Sequence, residues 1–278
     1  MLFDSHLHVV DRNALHYPWL AGAAALNRDH AYSDYAREAK RCGITDVLHM
    51  EVDVAPNDIN AETTYIKQLA TEPGSLLRGA ISACRPEEVD FADHLAHALD
   101  EPFIKGFRRV LHVMPDALSE MPLFRDNLRR MSGSRLTFDL CVLPRQIDKA
   151  VALVDHCPDV TFILDHCGVP DVAGEVYAPW ATGITTIAAR PNVIAKISGV
   201  VAYADADSWS VDSLRPYVEH TIAAFGWDRV IWGSDWPVCT LGGGLSTWVA
   251  ATHALTAGCS PHEREQLYRG NAKRLWSL

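Results

Sequence analysis

At 278 residues, 48% of them hydrophobic, the chain is long enough to bury a large core, as one big domain or two smaller ones. Its formal net charge of −10 is offset by no Lys/Arg cluster, so the electrostatic footprint of a phosphate-backbone binder is missing and nucleic acid is excluded as a partner. Apolar runs stop well short of membrane-spanning length, no basic region precedes an apolar stretch at the N-terminus, and seven cysteines without CxxC spacing read as reduced thiols of a cytoplasmic protein, not as a zinc site or disulfide framework.

The first extended run is LFDSHLHV (2–9). Residues two apart on a strand share a face, so Asp4, His6 and His8 are expected to project together, opposite Phe3, Ser5 and Leu7. Two histidines in register on an apolar strand point to a site that needs imidazole nitrogens. A long loop containing HYPWL (16–20) follows, then SDYAREAKRCG (33–43) with helical spacing, stopped by Gly43. ITDVLHMEV (44–52) carries His49 and Glu51 at alternate positions, facing either a cavity or a core hydrogen-bond network. After the helical INAETTYIKQLATEP (59–73) come LLRGAISAC (76–84), FIKGFRRV (103–110) and RLTFDLCV (135–142). RQIDKAVALVDHCP (145–158) is helical and ends at Pro158; VTFILDH (160–166), NVIAKISG (192–199) and DRVIWGSD (228–235) complete the extended runs. PHEREQLYRGNAKRLWSL (261–278) reads as a closing amphipathic helix.

Eight strands alternating with helices, with no Gly/Ser-rich or Pro-rich linker, predict a single (β/α)8 TIM barrel over residues 1–278. The competing doubly wound sheet lacks a GxGxxG after the first strand. In a barrel, chemistry collects at the C-terminal strand ends, and ionisable residues do cluster there: His6 and His8 on strand 1, Lys105, Arg108 and Arg109 on strand 4, His166 at the end of strand 6, Lys196 on strand 7 and Asp235 at the end of strand 8. Burying unpaired charges costs several kcal/mol each, so their recurrence at one end points to a shared cavity.

These residues resemble a known family. HLH, DH and GSDWP are similar to the amidohydrolase superfamily, and KGFRRVL, LDHCG, AKISG and IWGSDWPV resemble its branch of sugar-lactone and pyrone-dicarboxylate lactonases. Within that branch the match is best to L-fucono-lactone or L-rhamnono-lactone hydrolases, and it runs from HLH to GNAKRLW. The resemblance implies an amidohydrolase-type barrel, hydrolysis of a lactone, substrate binding by the arginine of GFR (Arg108) and an aromatic rim from Tyr17 and Trp19. It also implies divided metal use: many members bind one or two ions, and some lactonases work without one.

The residues support a concrete mechanism. Lactone opening needs water activation, carbonyl polarisation and protonation of the departing ring oxygen. Asp235 is suited to take and return the proton, while His6, His8 and His166 either stabilise the oxyanion or, with Asp235, hold a divalent ion such as Zn²⁺. The expectation is a zinc ion that can bind but is not required, and no organic cofactor. Lys105, the position of a carboxylated bridging lysine in binuclear members, falls on the face opposite Arg108 and is expected to be solvated or paired; Arg108 enters the cavity, helped by Gly106 disrupting the strand or by its place in the loop. Trp236 is expected as an apolar wall and His112 as a substrate contact or a surface loop residue. Lys196 is expected in a barrel ion pair, Cys167 as a buried thiol, and GGG (242–244) as a turn or lid. Strand 4 alone supplies an arginine pair, which favours a small neutral sugar lactone over a pyrone dicarboxylate. A metal-dependent decarboxylase of the same superfamily is the alternative.

Overall fold

The computed structural model describes residues 1–278, and eight parallel strands in sequential order form its centre. They are β1 (Leu2–Leu7), β2 (Ile44–Met50), β3 (Leu77–Ala83), β4 (Ile104–Val110), β5 (Thr137–Cys141), β6 (Thr161–Leu164), β7 (Val193–Ile197) and β8 (Val230–Trp232). The helices between them are α1 (Tyr32–Arg41), α2 (Ile59–Ala70), α3 (Phe91–Asp100), α4 (Pro122–Arg129), α5 (Ile147–His156), α6 (Ala178–Ala188) and α7 (Val211–Phe225), with α8 (Leu245–Leu255) after β8. The sheet closes beyond the end of β8: Leu7 bridges to Trp236 in parallel, Asp235 N–H donates to His6 O at 2.9 Å, and His8 N–H donates to Trp236 O at 2.8 Å. This is the expected (β/α)8 barrel.

Alternation along the strands separates two cores. Phe3, Leu48, Met50, Ile81, Ile163 and Ile231 fill the barrel interior, while a larger apolar cluster joins the outer strand faces to the helices. Trp276 plugs the interior from below, its ring stacked on Phe3 at 6.1 Å. It arrives on a C-terminal segment that is not one regular helix: α9 (Pro261–Glu265) passes through a π turn at Gln266–Gly270 into α10 (Asn271–Trp276). Ser260 caps α9 reciprocally with Glu263, and Asn271 donates to Trp227 O and Val230 O, tying α10 to β8.

Beyond strands β6 and β8 the backbone turns left-handed where the chemistry begins. His166 and Cys167 follow β6 at φ 52° and 53°, and Asp235 follows β8 at φ 57°. A non-glycine residue in this region costs of order 1–3 kcal/mol, which the surrounding hydrogen bonds must sustain. No helix is long and apolar enough to cross a membrane.

Candidate active site

The two strand-1 histidines reach the same place through an irregular strand. The register of β1 against β2 shifts between Asp4 and Leu7, so regular alternation breaks there. Asp4 consequently faces the helix layer and does not join His6 and His8, contrary to the alternation read from the sequence. Its carboxylate accepts from Tyr35 Oη at 2.5 Å, Ser234 N–H at 2.7 Å and His6 N–H at 3.1 Å, clamping β1 to the segment after β8. His6 and His8 both point inward, their Nε2 atoms 3.2 Å apart. His8 Nδ1 lies 3.0 Å from Met50 O; a carbonyl only accepts, so that nitrogen carries the proton.

Asp235 completes the group from β8. Its Oδ1 is 3.4 Å from His8 Nε2 and 3.7 Å from His6 Nε2, and its Oδ2 is 3.7 Å from His166 Nδ1. Oδ2 is buried without a hydrogen-bond partner. Burial raises the Asp235 pKa to about 6, against the pull of His166 and Arg108. Burial keeps the imidazoles neutral: His8 falls to about 3, aided by Arg108; His6 falls well below its usual value, aided by Lys196; His166 is lowered by burial against Asp235. Gly199, at φ 66°, permits the close approach, because a Cβ there would sit 2.5 Å from Asp235 Oδ2 and 2.7 Å from His166 Nδ1.

Strand β4 keeps an unbroken register with β5 from Gly106 to Val110, so Gly106 and Arg108 face inward together, while against β3 its register shifts between Ile104 and Gly106. Lys105 faces out, its stem against Gly79; Phe107 packs on Phe91 of α3, and Arg109 pairs with Glu87 at 2.7 Å. Arg108 donates through Nε to Glu51 Oε1 at 2.5 Å and through Nη2 to Glu51 O at 2.8 Å. Its remaining Nη1 faces His6 Nε2 at 3.4 Å and Asp165 Oδ2 at 3.5 Å. His49, by contrast, points to the helix layer and meets Glu62 of α2 at 3.2 Å, so His49 and Glu51 share no face.

Beneath the histidines Lys196 is fully buried and ion-paired with Asp139 Oδ2 at 2.5 Å and Asp165 Oδ1 at 2.9 Å. Burial raises Asp139 to about 7 despite the pull of Lys196; for Asp165, Lys196 outweighs burial and the carboxyl drops well below its usual range. Sequence reasoning missed both aspartates. The available signal was Asp139 at the centre of the apolar run LTFDLC, where an unpaired carboxylate would be too costly.

Above this layer opens a cavity of about 280 Å³, with His8, Arg108, His166 and Asp235 in its wall and Val52 and Val110 as apolar surface. Trp19 lines it, fixed by an indole N–H bond to Val52 O at 2.7 Å. His112 lines it too, Nδ1 3.1 Å from Cys141 Sγ, with its pKa lowered to about 4 by burial and Arg108. Tyr203 and Asp53, which sequence reasoning passed over, also reach the wall. The expected rim residue Tyr17 and the expected wall residue Trp236 do not. Tyr17 is buried under the first loop, its hydroxyl accepting from Asp11 N–H at 3.2 Å, and Trp236 lies behind the wall, 5.5 Å from the rings of His30 and Tyr35. Cys167 is a buried thiol raised to about 12 by burial. Gly242 packs so tightly on Val201 that a Cβ would meet its carbonyl oxygen at 2.3 Å, making GGG a packed turn into α8. A larger groove of about 640 Å³ between α2 and α3 contains none of His6, His8, Arg108, His166 and Asp235.

By position the donor set fits a divalent ion. His6, His8 and Asp235 offer ligand atoms within 4.8 Å of one another, as do His6, Asp165 and His166. The unpartnered Asp235 Oδ2 is the kind of buried acceptor a cation completes, and mixed imidazole and carboxylate donors suit zinc.

Known proteins share this architecture. L-fucono-1,5-lactonase of Burkholderia ambifaria is 27% identical over 261 residues, spanning 91% of this chain and 87% of that protein. A Burkholderia multivorans amidohydrolase solved with bound zinc is 24% identical with a TM-score of 0.89, covering 100% of this chain and 99% of that one. A putative 2-pyrone-4,6-dicarboxylic acid hydrolase from Pseudomonas putida is 24% identical with a TM-score of 0.75, covering 99% and 97%. The amidohydrolase family model matches residues 3–278. With the match running through every strand of the barrel, the chain belongs to the amidohydrolase family and is a hydrolase.

Proposed function

We propose that the protein opens a small neutral sugar lactone to its hydroxy acid, with Asp235 as the base that activates water. The observation that carries this reading is the buried Asp235 carboxylate, one oxygen unpartnered, on the cavity wall beside the neutral imidazoles of His8 and His166. With a pKa of about 6, Asp235 is ionised at neutral pH and more basic than a free carboxylate. Water adds to the ring carbonyl as its proton passes to Asp235. The tetrahedral oxyanion is met by His166 and Arg108 Nη1 on the cavity wall; the ring C–O bond then breaks, and Asp235 returns the proton to the departing alkoxide.

The charge inventory supports a neutral substrate. Arg108 is taken by Glu51, Arg109 by Glu87, and Arg85 by Asp53 at 3.4 Å. A dicarboxylate, or a ring carboxylate awaiting decarboxylation, calls for unengaged arginine forks. Trp19 and the aliphatic wall suit the C–H face of a sugar ring. The lactonase name of the Burkholderia ambifaria relative agrees with this class.

Zinc is present in the Burkholderia multivorans structure; in this chain it would be held by His6, His8, His166 and Asp235 and would polarise the carbonyl as a Lewis acid. We propose that it is dispensable, because a lactone is an activated ester and each preorganised donor to the oxyanion is worth about 3 kcal/mol. A pH-indicator screen of aldonolactones with and without chelator tests the function. Acid release from neutral aldonolactones is expected; no release from any of them, with CO₂ release from carboxylated rings, overturns the reading.

A further inference from the structure

We propose that Lys196 is a positioning residue that fixes the tautomer of His6, turning its Nε2–H toward His8 and Asp235 and withholding that nitrogen from metal. Its catalytic meaning rests on the lactonase reading above, whereas the proton position it assigns is independent of any substrate.

Lys196 sits on β7 with no exposed surface. Its ammonium has three hydrogens and no acceptor, and it faces three partners: Asp139 Oδ2 at 2.5 Å, Asp165 Oδ1 at 2.9 Å and His6 Nδ1 at 3.1 Å. A donor-only group at that distance requires a lone pair on Nδ1, so the proton of the neutral ring lies on Nε2. His8 leads to the same assignment from the other side. Its Nδ1 donates to Met50 O, which leaves Nε2 as an acceptor, and the group 3.2 Å away is His6 Nε2. One N–H between the two nitrogens makes a hydrogen bond; two lone pairs would repel.

Two contacts pull the opposite way, and both are longer. Asp165 Oδ1 lies 3.5 Å from His6 Nδ1, and Arg108 Nη1 lies 3.4 Å from His6 Nε2. Arg108 Nη1 has a better acceptor in Asp165 Oδ2, at 3.5 Å, because that oxygen bears charge.

Metal-binding histidines direct their second nitrogen, as N–H, to a carbonyl or carboxylate. His8 is built that way through Met50, and His6 is built the reverse way. The triad of His6, His8 and Asp235 is met through His6 Nε2, so zinc binding there must first displace the Nε2 proton from a ring whose other nitrogen is held by an ammonium. The same arrangement fixes that proton between His8 Nε2 at 3.2 Å and Asp235 Oδ1 at 3.7 Å, so it orients the two groups that do line the cavity.

The direct test is a long-range ¹H–¹⁵N correlation spectrum of metal-free, histidine-labelled wild-type protein at neutral pH. His6 is expected with a protonated Nε2 and a bare Nδ1, and His8 with the reverse; a His6 protonated on Nδ1, or on both nitrogens, overturns the proposal. A double variant, Lys196→Met with Asp139→Asn, removes the donor together with the carboxyl group it pairs with. Its zinc affinity, measured by competition with a chromophoric chelator, should rise about tenfold or more over wild type, the scale of groups that orient metal ligands. Equal or weaker affinity in the folded variant overturns it as well. If no lactone is turned over but the tautomers are as assigned, the functional reading fails and this one stands.

Discussion

Arg108 is held by Glu51 at two points, Nε to Oε1 at 2.5 Å and Nη2 to the main-chain oxygen at 2.8 Å, so only Nη1 is left to face the cavity. Arg108→Met should therefore raise KM for lactone and also destabilise the fold, because Glu51 is left charged and buried. Breaking a buried pair from one side costs about 3–5 kcal/mol. Adding Glu51→Gln should recover much of the lost Tm without recovering KM. A double variant with wild-type KM would remove Arg108 from substrate binding.

Asp235→Asn should retain the fold and lose about 10²–10⁴-fold in kcat/KM, since an amide cannot take the proton from water. Its stability should be equal or greater at pH 7–8. Burial raises the native pKa to about 6, so the fold disfavours the ionised carboxylate above that pH, and a neutral amide escapes this cost. Circular dichroism and thermal melts read the fold; near wild-type turnover in a folded Asn variant would eliminate Asp235 as the base.

In metal-stripped enzyme, kcat/KM should fall as pH drops through about 6 and plateau above it. The sign follows from the role: the base works ionised, and protonation below its pKa of about 6 disables it. A profile flat down to pH 4.5 contradicts that assignment.

Chelator treatment should leave most lactonase activity, with metal content measured on the same sample. Loss of activity in proportion to metal removed, and recovery on adding zinc, would make the ion the electrophile and displace the donor mechanism.

Lys105→Met should change neither kcat nor metal content appreciably, because Lys105 is half-buried on the outer face of β4 against Gly79. Abolition of both together would restore the bridging-lysine reading.

Strand and helix order, the barrel and the clustering of His6, His8, His166 and Asp235 were legible from residue order because they depend on local periodicity and on strand ends. The face taken by Asp4 was not, since a register shift in β1 redirects its carboxylate to Tyr35, and no two-residue period encodes such a shift. Trp236 follows Asp235 directly yet turns behind the cavity wall, a consequence of the left-handed backbone at Asp235. The charge partners were hidden for a different reason. Glu51 meets Arg108 across 57 residues and Lys196 meets His6 across 190, separations that only closure of the sheet brings within hydrogen-bond distance. The sequence by itself determined which groups line the strand ends; the closed barrel decided which charge neutralises which, and therefore which proton each imidazole presents, because those choices rest on distances of 3 to 4 Å between strands far apart in the chain.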